Sequence, residues 1–311
     1  MILVTGGTGF IGKALIRTLV EAGYPVRVLI RPSKKSPRLP HGVKVNVAVA
    51  SLQDERGLRA AMVDVDTVFH LVGIERQGIK ENLLKVDVEG TRAIIHAAED
   101  ANVKKIFYLS HIGADRASAY PVFKAKAIAE EYIRKSKIPY TIFRTSIVFG
   151  KGDGFTTSIA QIIKAVPIIF FMPGKGDILI QPLWVEDLVK CLVWALENRD
   201  ISNKMIELGG PEFLNYHEVV KLILGKLGTN RMMVSVSPPL LRMITVLIES
   251  LLPTAPVSVY WLDYLATNRT CSLDTIPRLL NLMPSRFSKR LDYLVGENWR
   301  RVLIQNIVKK S

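Results

Sequence analysis

The chain has 311 residues, 49% of them hydrophobic, enough to bury a core for one or two domains. It contains no run of about eighteen apolar residues, so no transmembrane helix is expected. Cys191 and Cys271 are too few for a disulfide framework and suit a reducing compartment, and the five scattered histidines lack ligand spacing, so no metal is expected. The net charge of +14 is compatible with nucleic acid, an anionic membrane or an acidic partner. No helix-turn-helix, RNP or zinc-finger signature accompanies it, so nucleic acid is not expected.

Met1–Val4 is apolar and reads as a buried strand, which argues against a signal peptide. Thr5-Gly6-Gly7-Thr8-Gly9-Phe10-Ile11-Gly12 follows, with four glycines in eight residues, and then Lys13–Ala22 carries Ala14, Leu15, Leu19 and Val20 at helical spacing. Further strands are expected at Val26–Ile30, Val43–Val49, Thr67–Leu71, Lys105–Ser110 and Tyr140–Arg144. Helices are expected at Gly12–Ala22, Glu55–Met62, Leu83–Ala101 and Lys124–Ser136. Such alternation implies an α/β, Rossmann-type, doubly wound parallel sheet. After Gly150 prolines interrupt the pattern, so residues 1–150 read as a nucleotide-binding domain and 151–311 as a smaller, mostly helical lobe.

Within that context Gly6-x-x-Gly9-x-x-Gly12 fits a dinucleotide cradle. The first glycine permits a tight turn, the second lets a pyrophosphate approach the backbone, and the third lets helix and strand pack closely. Helix-start amides then hold the phosphates. The second strand ends Val28-Leu29-Ile30-Arg31, followed by Lys34, Lys35 and Arg38, with no acid between Glu21 and Asp54. A carboxylate there accepts the ribose hydroxyls of NAD, whereas a guanidinium grips a 2′-phosphate, so NADP(H) is expected over NAD(H), with Arg31 as the selecting residue.

The stretches TGGTGFIG, VFHLVGIE, VDVEGTRAIIHAAEDANVKKIFYLSHIGAD, SAYPVFKAKAIAEEYI, PYTIFRTSIVFGKGDGF, QPLWVEDLVK and IELGGPEFLNYHEVV together resemble the extended and atypical short-chain dehydrogenase/reductases, an epimerase-like and NmrA-like group. The resemblance is strongest to the atypical branch that contains the dehydrogenase-like accessory subunit of respiratory complex I and its bacterial relatives. It spans most of Met1–Val220 and adds cofactor contacts at Thr5, Ser51, Leu71, Val72, Gly73, Ser146, Ile147 and Val148. Ser51 stands where relatives often carry an acid facing adenine, and His70 reads as a structural strand-end histidine.

Members of this group use Ser, Tyr and Lys: the tyrosine moves a proton to or from the substrate oxygen, the lysine lowers its pKa and holds the ribose, and the serine orients the carbonyl. Tyr120 and Lys124 supply Tyr-x-x-x-Lys spacing at the start of a helix, where i and i+4 share a face, and Ser110 ends the preceding strand. Two readings stay open. One is an oxidoreductase acting on an unknown, apolar carbonyl or quinone-like small molecule; the other is a non-catalytic NADPH-binding accessory or assembly factor that docks on a membrane complex.

In the second lobe the apolar run Ile168–Met172 reads as core or as the wall of an apolar pocket. Leu240–Leu252 is too short to span a bilayer but suits its surface. The segment 286–311 is basic and places Trp299, Val302, Leu303, Ile304 and Ile307 as an apolar stripe, which suits an anionic lipid surface, a membrane complex or a plain domain cap. The expected location is therefore the cytoplasm or an equivalent reducing compartment, peripheral to a membrane in the second reading.

Overall fold

The computed structural model describes residues 1–33, 39–74, 82–252 and 254–308. Its first half comprises β1 (Ile2–Thr5), α1 (Phe10–Glu21), β2 (Val26–Ile30), β3 (Asn46–Val49), α2 (Glu55–Ala61) and β4 (Thr67–His70). A π-helical turn, Leu84–Glu89, leads into α3 (Gly90–Asp100), β5 (Lys105–His111), α4 (Pro121–Lys135) and β6 (Tyr140–Thr145). Next come β7 (Val148–Phe149), α5 (Thr156–Ala165), β8 (Ile169–Pro173), β9 (Leu179–Ile180), β10 (Leu183–Trp184), α6 (Val185–Glu197) and β11 (Lys204–Leu208). The chain continues through β12 (Leu214–Asn215), α7 (Tyr216–Lys226), β13 (Met232–Val236), α8 (Pro238–Leu251), α9 (Val259–Tyr264), α10 (Thr275–Leu280) and α11 (Trp299–Val308).

Among the described residues, one seven-stranded sheet runs β11-β6-β5-β4-β1-β2-β3, and all its pairings are parallel. Parallel strands covered on both faces need continuous apolar runs, and β1 meets this with all four residues buried. Helix α1 turns Ala14, Leu15, Ile16 and Leu19 inward. Strand order reverses between β1 and β4, so the connections leaving them diverge and open a crevice at their carboxyl ends.

The six strands expected from the sequence form, although Val43–Val45 stays outside β3. The seventh, β11, is drawn from beyond Gly150 and pairs with β6 from Lys204↔Thr141 to Leu208↔Thr145. Helix α6 also joins the first half, its Leu188, Val189 and Leu192 sharing a core with Leu15 and Leu19. The parallel sheet therefore draws on chain beyond residue 150. The second lobe is mostly helical, as expected, with short pairings β7–β10, β9–β12 and β8–β13. Its core gathers Phe123, Phe149, Phe155, Phe170, Tyr216, Tyr264 and Phe287. In the Ile168–Met172 run, Phe170 and Met172 are core, whereas Ile168 and Phe171 face outward.

Candidate functional site

The glycine loop leaves β1 at the crevice. Gly6 takes φ +73°, and a Cβ there would meet the Leu71 carbonyl at 2.8 Å. A Cβ on Gly12 would run into the Gly6 oxygen and the Gly7 backbone, so helix and loop touch only because both positions lack side chains. Gly9 caps α1: its N–H donates to the Gly6 carbonyl at 3.0 Å and its carbonyl accepts from Lys13 N–H at 3.1 Å. Thr8 and Gly9 are exposed, while Phe10 and Ile11 are half-buried. The positive end of a twelve-residue helix thus opens onto the crevice without a side-chain cap. The residues present fit a diphosphate.

Thr5 was expected among the contacts, but its side chain is fully buried and already used. Thr5 Oγ1 bonds His70 Nδ1 at 2.7 Å, and His70 Nε2 bonds Thr91 Oγ1 at 2.9 Å. Burial lowers the His70 pKa to about 3, so the ring is neutral and ties β1, β4 and α3 together, the structural role read from the sequence. Leu71 and Val72 are half-buried beside the loop, with Leu71 N–H donating to the Thr5 carbonyl at 3.2 Å, and Gly73 is exposed. Ser51 is half-buried at the end of β3, its hydroxyl accepting from Gln53 N–H at 3.3 Å. Arg31 is exposed immediately after β2; Lys34, Lys35 and Arg38 lie outside the described residues.

The other end of the crevice departs from the expected triad. Tyr120 sits at the N-cap of α4, with Pro121 at the first helical position, and the hydrogen bond recorded between Tyr120 and Lys124 is Lys124 N–H to the Tyr120 carbonyl. Lys124 is exposed, whereas the buried face of the helix carries Val122, Phe123, Ala125, Lys126, Ala129, Glu130 and Ile133. The lysine directed inward is Lys126. Its ammonium lies 3.0 Å from Asp87 Oδ1 and within 3.4 Å of the Val72 and Leu109 carbonyls. A Cβ on Gly73 would meet that ammonium at 2.9 Å, so Lys126 reaches the crevice wall. Burial opposes its charge, but Tyr108 and Asp87 outweigh burial and keep it protonated. Four residues before Lys126, where a phenol would share its face, stands Val122.

Ser110 does not join Tyr120 and Lys124 either. It is fully buried, and its hydroxyl donates to Glu130 at 2.6 Å. Glu130 also takes a forked pair from Arg144, at 2.9 and 2.6 Å. The serine thus belongs to a charge network under α4. Tyr108, whose ring lies 5.1 Å from the Lys126 ammonium, is no substitute acid, because burial pushes its pKa up to about 12. Burial likewise pushes Cys191 and Cys271 up to about 12, away from thiolate chemistry.

Ser146 is buried and holds the loops beyond β6: it donates to the Arg269 carbonyl at 2.9 Å and accepts from Gln181 N–H at 3.2 Å. Ile147 is buried, its carbonyl accepting from Leu183 N–H at 2.8 Å, and Val148 is half-buried in β7. Arg269, unnoticed in the sequence, stacks its guanidinium 3.7 Å over the Phe123 ring. Beside it Tyr260 OH meets His111 Nε2 at 3.1 Å, and burial lowers the His111 pKa to about 3. Rings and a stacked cation therefore occupy the region beyond β5 and β6.

The profile of the NmrA-like family matches residues 1–257. A mitochondrial relative from Arabidopsis thaliana, NADH dehydrogenase [ubiquinone] 1 alpha subcomplex subunit 9, is 28% identical over 231 residues, covering 71% of this chain but 56% of that protein. The Photosystem II assembly factor Ycf39 of Cyanophora paradoxa is 24% identical over 222 residues, covering 71% and 67% of the two chains. Among solved structures, MoeE5 in complex with UDP-glucuronic acid and NAD superposes with a TM-score of 0.72 at 18% identity, over 97% of this chain and 99% of that one. The fold, the glycine loop and the profile agree: the chain belongs to the NmrA-like family.

Proposed function

We propose that the chain is an NADP(H)-binding accessory protein that holds its dinucleotide without turning it over and serves a membrane-bound complex. The observation that carries this reading is the register of α4: the buried lysine, Lys126, has Val122 rather than a tyrosine four residues before it. Proton transfer to a substrate oxygen needs an acid within hydrogen-bond reach and a pKa near the working pH, and neither the exposed Lys124 nor the buried Tyr108 provides that pairing. A bound dinucleotide would supply hydride chemistry when a proton donor is present; in this chain its diphosphate would rest on the amides of Phe10 and Ile11 at the start of α1, with Lys126 toward the ribose. Arg31, exposed after β2, supports preference for the 2′-phosphate. One sequence relative is named as a complex subunit and another as an assembly factor, which supports an accessory role.

Ligand bound only by the folded state stabilises it by about 2.7 kcal/mol at a hundredfold excess over Kd. Titration calorimetry with NADPH and NADH, paired with melting curves, tests the reading. NADPH is expected to bind the tighter and to raise Tm, while nicotinamide absorbance stays constant against carbonyl and quinone panels. Failure of both nucleotides to bind, or steady oxidation, overturns it.

A further inference from the structure

Helix α8 packs with its polarity inverted. An amphipathic surface helix normally turns its apolar stripe to the core. In α8, PPLLRMITVLIESL, the one fully buried residue is Thr245. Arg242 turns to α9 and pairs with Asp263, and Glu249 accepts from Ser258 Oγ at 3.1 Å and Val259 N–H at 3.2 Å. Leu241 and Ile248 are half-buried, but most aliphatic residues face out: Met243 is 64% exposed, Leu247 60% and Leu251 71%, with Leu240 and Ile244 beside them. These positions recur every three or four residues and form one stripe along the helix.

We infer that this stripe is a lipid-contact face that lies in the surface of an anionic bilayer. Fourteen residues make a rod of about 21 Å, too short to span the hydrocarbon and of suitable length to lie in its boundary. Among the described residues no helix is long and apolar enough to cross a membrane. These five positions offer only Leu, Ile and Met. Such a face offers no side-chain hydrogen-bonding group, and acyl chains ask for none. The β8–β13 ribbon leading into the helix adds exposed Ile168, Phe171 and Met232. The turn after β8, tied to the ribbon by Gly174 N–H to the Val236 carbonyl at 2.8 Å, carries exposed Lys175 next to the helix start. With a chain charge of +14, the complement is an anionic headgroup layer.

The C-terminal helix, which the sequence also offered for this role, is only partly exposed, with Ile304 58% exposed. Trp299 is buried and donates from Nε1 to the Leu294 carbonyl at 2.9 Å, and Val302 packs on the core of the second lobe. The lipid face deepens the accessory reading by naming where the membrane is met, yet it stands on α8, its neighbouring ribbon and the charge, not on the dinucleotide site.

The test is co-sedimentation of the full chain with phosphatidylcholine–phosphatidylglycerol vesicles and with pure phosphatidylcholine vesicles, alongside the double variant Met243→Glu, Leu247→Glu. Both substitutions fall on exposed positions, so the variant is expected to fold and to bind NADPH as the wild type does. The wild type should sediment with the anionic vesicles and more weakly with the neutral ones, and the variant at least tenfold more weakly. No wild-type binding, equal binding by the variant, or a wild-type dimer that the variant dissolves without any vesicle binding overturns the inference, the last in favour of a second copy of the chain as occupant. A dinucleotide site that proves catalytic would leave these results unchanged, so the two failures are separable.

Discussion

The two ends of the crevice between β1 and β4 are built on opposite principles. At the loop end, side chains are missing: Gly6, Gly9 and Gly12 leave backbone amides open at a helix start. At the α4 end, buried side chains pair with one another, Lys126 against Asp87 and Ser110 and Arg144 against Glu130. The first end offers an uncapped helix start to an anion; the second is held by buried ion pairs, Lys126 with Asp87 and Arg144 with Glu130. In the accessory reading proposed above, that difference is what would separate holding a dinucleotide from reacting it.

The largest expected effect breaks the completed end. Lys126→Met leaves the Asp87 carboxylate, 1% exposed, without its cation, and removing one partner of a buried pair costs about 3–5 kcal/mol. Urea unfolding should show that loss, and Asp87→Asn added to it should recover much of it. Gly12→Val attacks the loop end. The new side chain meets the Gly6 and Gly7 backbone, overpacking costs about 1–3 kcal/mol, and NADPH binding by calorimetry should vanish. Arg31→Asp sharpens the same end without touching the core. Charge-assisted hydrogen bonds contribute about 1.5–3 kcal/mol, so NADPH affinity should drop about tenfold or more while NADH affinity holds or rises.

His70 joins the two ends and makes the fold acid-sensitive. Its pKa falls from 6.5 to about 3 on burial, so below about pH 6.5 the unfolded chain binds a proton that the folded chain refuses. Its stabilising contribution is present above that pH and is lost as pH falls. Between about pH 7 and about pH 5.5 the loss is about 1 kcal/mol, and denaturation of His70→Asn should show a shallower slope. The smallest effect belongs to Tyr120→Phe. A residue at the cap of α4, without the lysine beneath it, should change stability and nucleotide affinity by less than about 0.5 kcal/mol.

The loop end was legible because its signal is local. Three glycines at fixed spacing, a strand before and a helix after, state a backbone geometry within a dozen residues. The α4 end was not, because two lysines two residues apart compete for one phase of a helix. Tyr120 and Lys124 satisfy i and i+4, but the apolar set Val122, Phe123, Ala125, Ala129 and Ile133 turns Lys126 inward and Lys124 out. Pattern reading assigns charged residues to the solvent face, so a buried lysine is invisible until its partner, 39 positions earlier at Asp87, is in place. Ser110 misled for a similar reason: it shares a strand face with Tyr108, and that face looks at α4. Strand β11 and Arg269 depend on chain distant in sequence, which no local pattern announces.

The most direct measurement is a single-turnover experiment on the protein loaded with NADPH, following nicotinamide absorbance after mixing with carbonyl and quinone compounds, for the wild type and Tyr120→Phe side by side. The account expects both proteins to retain the reduced nucleotide with indistinguishable traces. Oxidation in the wild type that disappears in Tyr120→Phe would contradict it, because the Tyr120 phenol would then be a working acid without a buried lysine on its helix face.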